Sequence, residues 1–111
     1  MNGESGNERF AGVVRLVGSA AAGRLSRSHV AVIGVGGVGS WVVEALARSG
    51  VGALTLVDMD DVCESNFNRQ IHATEGEIGR PKVDAMARRI GQINPGCKVA
   101  PEQRFFSSST S

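Results

Sequence analysis

Cysteine is scarce: Cys63 and Cys97 are the only two. Two are too few, and too ordinary in placement, for a disulfide framework, and the lack of a C-x-x-C pair leaves a structural zinc site without ligands in this stretch. Two free thiols in a reducing compartment are expected. Long apolar runs are also missing, the longest falling far short of the roughly 20 residues that a membrane span needs. The opening residues, 1–5, lack the basic stretch and apolar core of a secretory signal. A cytoplasmic protein with no membrane contact is therefore expected. Charge of one sign is absent too. Twelve Lys and Arg face 11 Asp and Glu, for a formal net charge of +1. No global field draws the chain to nucleic acid or to an anionic membrane, so any such contact has to be local. What remains is 41% hydrophobic and 21% charged, the balance of a globular domain. At 111 residues there is room for one.

The most informative run is Ile33-Gly34-Val35-Gly36-Gly37-Val38-Gly39-Ser40. It joins an apolar strand-like segment to a helical pattern, and Gly34, Gly36 and Gly39 stand in G-x-G-x-x-G spacing. Glycines so spaced permit a tight turn, a close backbone approach to phosphate and close helix–strand packing. The helix start behind them offers free N–H groups and the positive end of a dipole to an anion. Asp58 follows about 20 residues later at the end of a second apolar run, where such folds hold a ribose hydroxyl.

The rest of the chain supplies the frame for that site. Residues 8–25 carry Phe10, Val13, Val14, Leu16 and Val17 at helical spacing, interrupted at Gly18 and Gly23, and predict one or two short helices. Residues 29–34 predict a strand that is apolar on both faces and covered on both sides. A helix from Gly37 to Gly50 is expected to turn Val38, Trp41, Val42, Ala45 and Leu46 to one side, with Glu44, Arg48 and Ser49 toward the other. Residues 53–58 predict the second strand. An irregular stretch of about 20 residues follows, a length that is usually functional. Pro81 begins a third helix with Val83, Met86, Ala87, Ile90 and Ile93 inward, and residues 97–100 form a third strand. This order is an α/β fold, the N-terminal half of a doubly wound, mostly parallel Rossmann-like sheet with a preceding helix. Since no fourth strand follows, an apolar edge would be left open, and a truncated fragment is expected.

A glycine fingerprint alone does not separate dinucleotide oxidoreductases from ATP users on the same scaffold. The segment after Asp58 is more discriminating. It places Asp60, Asn66, Asn68, Arg69 and Gln70 near one crevice, and Lys82 adds a cation at the next helix start. Arg69 is a planar, permanently charged fork suited to phosphate oxygens; its plain alternative is a surface charge paired with Asp60, Asp61 or Glu64. His72 and His29 read as locally packed residues, and Trp41 as packing in a core or interface. Arg80, Lys82, Arg88 and Arg89 read as a modest basic face.

Taken together, Gly34-Val35-Gly36-Gly37-Val38-Gly39-Ser40, Val57-Asp58-Met59-Asp60, Ser65-Asn66-Phe67-Asn68-Arg69-Gln70, Gly79-Arg80-Pro81-Lys82 and Ile93-Asn94-Pro95 resemble the ThiF superfamily. Its members are adenylating enzymes related to ubiquitin-activating and molybdopterin-synthase-activating proteins. The resemblance spans residues 8–104, with 1–7 expected to be disordered and 105–111 a tail or truncation point. Arg9-Phe10-Ala11-Gly12, Arg15-Leu16, Gly39-Ser40-Trp41 and Asn68-Arg69-Gln70-Ile71-His72-Ala73 are most similar to the branch that dehydrates a threonylcarbamoyl group on a tRNA adenosine. The resemblance implies ATP-dependent adenylation of a carboxylate, with Gly34, Gly36, Gly37 and Gly39 at the phosphates and Asp58 and Asp60 at the nucleotide. It assigns Asn66, Arg69 and Lys82 to the phosphates, the latter two as catalytic residues. It further implies tRNA as substrate, a homodimer in which Arg9 or Arg15 reaches the other protomer's site, and magnesium whose aspartate ligand lies beyond residue 111. Without that carboxylate the chain is expected to be inactive alone. Two alternatives stay open: activation of a ubiquitin-like or sulfur-carrier protein with sulfur-transfer partners, and a non-catalytic or NAD-binding Rossmann module.

Overall fold

The computed structural model describes residues 8–105. The expected disordered segment 1–7 and residues 106–111 of the expected tail lie outside the described residues. Two short helices, α1 (Ala11–Val17) and α2 (Ser19–Ser26), lead into β1 (His29–Ile33). Then follow α3 (Gly37–Arg48), β2 (Ala53–Val57), α4 (Lys82–Ile93) and β3 (Lys98–Glu102). Gly18 separates α1 from α2 as expected, but Gly23 lies inside α2, where the Arg27 side chain folds over it.

The three strands form one parallel sheet in the order β1-β2-β3, with His29 beside Ala53 and Ala53 beside Lys98. Pro101 is accommodated within β3, which is an edge strand among the described residues and can spare the N–H that proline lacks. Helix α3 packs on β1, α4 on β3, and the two helices on each other. Between helices and sheet lie Val32, Val35, Val43, Ala47, Val51, Leu54, Leu56, Val83, Met86 and Ile90. Each such side chain contributes about 1.5–3 kcal/mol when fully buried, and the register that places Val32 beside Leu56 lets strand and helix share them.

Two expectations change. First, among the described residues β1 is covered on one side alone: His29, Ala31 and Ile33 are exposed, while Val32 faces the helices. His29 and Thr55 hydrogen-bond across the uncovered face, Nε2 to Oγ1 at 2.6 Å. Second, α3 is rolled away from the expected stripe. Its buried residues are Ser40, Val43, Glu44 and Ala47, whereas Val38, Trp41 and Val42 are exposed. Gly39 decides the roll, because its Cα presses so closely on the Gly34 carbonyl that a Cβ would lie 1.8 Å from that oxygen. With position 39 against the strand, 43 and 47 point inward at helical spacing.

Glu44 is thereby carried inside, where its carboxylate accepts hydrogen bonds from Arg48 within α3 and from Arg89 on α4. Burial would raise its pKa, but the hydrogen bonds and charges of Arg89 and Arg48 prevail and hold it below its usual value. Asn94 ties the end of α4 to the α3–β2 turn, donating to the carbonyls of Ala47 and Val51.

Candidate functional site

The site is built where β1 and β2 end. Gly34 leaves β1 with φ +90°, a conformation that side chains rarely adopt, and its N–H donates to Val57 O at 2.8 Å. The next residue is gripped from both sides. Val35 N–H donates to Asp58 Oδ2 at 2.7 Å, and Val35 O lies 2.8 Å from His72 Nε2. Asp58 uses its other oxygen on Asp60 N–H at 2.8 Å. Gly36 precedes α3, and Gly37 opens it. Among the described residues, the N–H groups of Gly36 and Gly37 have no hydrogen-bond acceptor. A helix N-terminus with free amides is an anion cradle.

The long loop folds over this cradle through two short 3-10 turns, Glu64–Asn66 and Glu75–Glu77. Arg69 lies across Gly37, where an added Cβ would meet its Cδ at 3.7 Å and its Nε at 3.9 Å. Its Nη1 donates to Ser65 O and Asn68 Oδ1, both at 3.0 Å. It has no carboxylate within 4.0 Å among the described residues, so the alternative of pairing with Asp60, Asp61 or Glu64 is not what the structure contains. The loop is anchored by α3: Trp41 Nε1–H donates to Arg69 O at 2.9 Å, and Ile71 N–H donates to Ser40 Oγ at 3.3 Å. Trp41 is thus a tether at the rim, 55% exposed, and not a core residue. Gln70 is buried with its Oε1 unpartnered and its amide nitrogen 3.9 Å from where a Gly36 Cβ would sit.

The structure gathers the expected residues into two groups. Gly34, Gly36, Gly37, Asp58 and Arg69 form the cradle, while Gly39 serves helix–strand contact. Lys82 reaches the site through Asp60: its N–H donates to Asp60 O at 3.0 Å, and its Nζ lies 3.9 Å from Asp60 Oδ2. Lys82 is 7% exposed. Asn66 is also buried, with Oδ1 accepting from Cys63 N–H at 2.8 Å. The members of the expected basic face are each paired with an acidic side chain. Arg80 and Arg88 bridge to Glu77, Arg89 to Glu44, and Lys82 to Asp60. Ser40 is a site residue that the sequence marks only by its adjacency to the glycine run, whereas Gln70, expected near the crevice, lies there.

Other chemistry is sparse nearby. Cys63 and Cys97 are free. Among the described residues no group of three His, Cys, Asp or Glu side chains could hold a metal ion, and no helix is long and apolar enough to cross a membrane. A hollow of about 440 Å³ between the α1–α2 pair and the residues before β2 and β3 is lined by Phe10, Val13, Ala22, Gly50 and Asn94. It lies at the opposite end of the strands from the cradle.

Comparison with known proteins agrees with this fold. The ThiF family matches over residues 9–110. The tRNA threonylcarbamoyladenosine dehydratase of Escherichia coli K12 is 53% identical over 100 residues, covering 90% of this chain and 37% of that protein. Its Haemophilus influenzae counterpart is 55% identical over 100 residues, covering 90% and 38%. The crystal structure of E. coli tRNA N6-threonylcarbamoyladenosine dehydratase in complex with ATP superposes with a TM-score of 0.92 at 50% identity, covering 94% of this chain and 43% of that one. The chain spans less than two-fifths of the length of these two curated relatives. By its glycine cradle, its parallel sheet and the match across nearly all its residues, the chain belongs to the ThiF family.

Proposed function

We propose that this chain supplies the ATP-binding, adenylating part of a tRNA threonylcarbamoyladenosine dehydratase. The observation that carries the reading is Arg69, lying over Gly37 with no carboxylate neighbour, above amides that have no acceptor. An arginine and a helix N-terminus facing the same space suit the oxygens of a nucleoside triphosphate. The absence of side chains at Gly36 and Gly37, beside Gln70 and Arg69, leaves room for close approach of a phosphate chain.

In this reading a substrate carboxylate oxygen attacks the α-phosphorus. The bond from that phosphorus to the bridging oxygen breaks, and pyrophosphate leaves. The resulting acyl-adenylate is then attacked at its acyl carbon by a nucleophile within the same threonylcarbamoyl group. A ring closes and AMP departs, so that the substrate loses water overall. Holding the reacting groups together favours the internal attack. Arg69 and Lys82 offset the charge that moves onto pyrophosphate; the cradle amides hold the chain of phosphates; Asp58 and Asp60 face the nucleoside. Among the described residues no three carboxylates, histidines or cysteines group to hold a magnesium ion. Assembly as a homodimer and residence in the cytoplasm belong to the same reading.

Two measurements test it. Calorimetric titration of the chain should show binding of ATP and AMP in preference to NAD; preference for NAD would overturn it. A chimera carrying residues 9–105 in place of the matching segment of the E. coli enzyme should retain ATP–pyrophosphate exchange that depends on threonylcarbamoyl-tRNA. Exchange that instead required a carrier protein would redirect the reading to carrier activation.

A further inference from the structure

His72 is the most enclosed ionisable side chain near the cradle, 2% exposed. Its Nε2 lies 2.8 Å from the Val35 carbonyl. A carbonyl only accepts, so Nε2 carries the proton and donates. The other ring nitrogen, Nδ1, is buried without a partner. With Nε2 donating, the neutral ring that burial favours leaves Nδ1 without a proton. Burial also pushes the imidazole pKa down, more strongly than the Val35 bond raises it, and the charge of Lys82 lowers it further against Asp58 and Glu77.

The consequence lies in the peptide plane. The carbonyl of Val35 and the N–H of Gly36 belong to one trans peptide unit and point in opposite directions. A group that holds this carbonyl therefore aims the Gly36 N–H away from itself. The preceding peptide is fixed in the same manner, since Asp58 holds the Val35 N–H while the Gly34 carbonyl rests on Gly39. We infer that His72 is a positioning residue for the phosphate cradle: it clamps the Val35 carbonyl and so directs the Gly36 amide at the bound anion. The inference rests on the ATP-binding reading for what is bound, but the clamp itself is a property of the free chain.

The test uses the 111-residue chain with His72→Gln and His72→Asn. A glutamine amide nitrogen can stand where Nε2 stands, whereas asparagine is one bond too short to reach the carbonyl. Affinities for ATP and for adenosine are measured on each variant, alongside hydrogen exchange of the amides at 35–40 without nucleotide. H72N should bind ATP roughly tenfold more weakly, the scale of one lost hydrogen bond, with adenosine affinity nearly unchanged and faster exchange across the glycine run. H72Q should restore ATP binding and slow exchange. Equal weakening of ATP and adenosine, or H72Q behaving as H72N, would reduce His72 to a packing residue and overturn the inference. Should the native chain bind no ATP, the function reading fails, and exchange in H72N against H72Q still decides the clamp: unchanged exchange refutes it.

Discussion

Gly39→Ala separates two roles that the glycine motif merges. An alanine Cβ at position 39 would lie 1.8 Å from the Gly34 carbonyl oxygen and 2.9 Å from its carbon. Both atoms are backbone, so no side chain can swing away. To recover the 3.0 Å that real Cβ contacts respect, α3 has to retreat from β1 by about 1.2 Å. That motion loosens Val43 and Ala47, which are fully buried on the same face. Overpacking of this kind costs about 1–3 kcal/mol. For a domain of this size each kcal/mol lowers Tm by roughly 4–8 °C, so a loss of about 2 kcal/mol predicts a fall of roughly 8–16 °C. Circular dichroism melting of the 111-residue chain measures it. Gly37→Ala is the counterpart: its Cβ makes ordinary contact with Arg69 at 3.7–3.9 Å, and Gly37 is not among the glycines with positive φ. It should melt no lower than the native chain yet bind ATP more weakly, because the added methyl stands in the cradle. If G39A melted within about 2 °C of the native chain, close helix–strand contact would not be what Gly39 provides.

Arg69→Ala should weaken ATP binding roughly 10- to 100-fold, the scale of a charged hydrogen bond, with Arg69→Lys recovering only part of it in calorimetric titration. Trp41→Phe removes the donor to the Arg69 carbonyl and should lower ATP affinity by roughly two- to tenfold, with faster amide exchange at residues 69–71. Glu44 gives a pH signature. Its folded-state pKa lies below the ordinary value of 4.5, so its contribution to stability is complete above that value and is lost as pH falls through the depressed one. Glu44→Gln should therefore lower Tm at pH 7 and flatten the decline in Tm below about pH 4.5; parallel Tm-against-pH curves for the two proteins would contradict this.

Element order was legible because each helix and strand carries its own periodicity and its own stop. Gly18, Pro81 and Asn94 mark boundaries within a residue of where the structure places them. Faces were harder to read. On α3, Val38, Trp41 and Val42 are as periodic as Ser40, Val43, Glu44 and Ala47, and hydropathy favoured the wrong set. The deciding contact joins Gly39 to a carbonyl on another element, which no pattern within the helix records. The partners of the basic residues were hidden for a related reason, since Arg88 meets Glu77 and Arg89 meets Glu44 across 11 and 45 residues of chain. In the cradle, the glycines and Arg69 declared themselves by residue type. The tethers through Ser40, Trp41 and His72 did not, because they bond backbone atoms and any sequence offers those.

The grip on Val35 has a consequence for vectorial synthesis. When the ribosome has delivered residues through Val57, β1, α3 and β2 are all encoded, yet neither hand that shapes the turn has emerged. Asp58 comes first and His72 fourteen positions later. A nascent chain halted between them holds one side of that turn and leaves the other free, so the turn is completed by a late stretch of polypeptide that is neither helix nor strand.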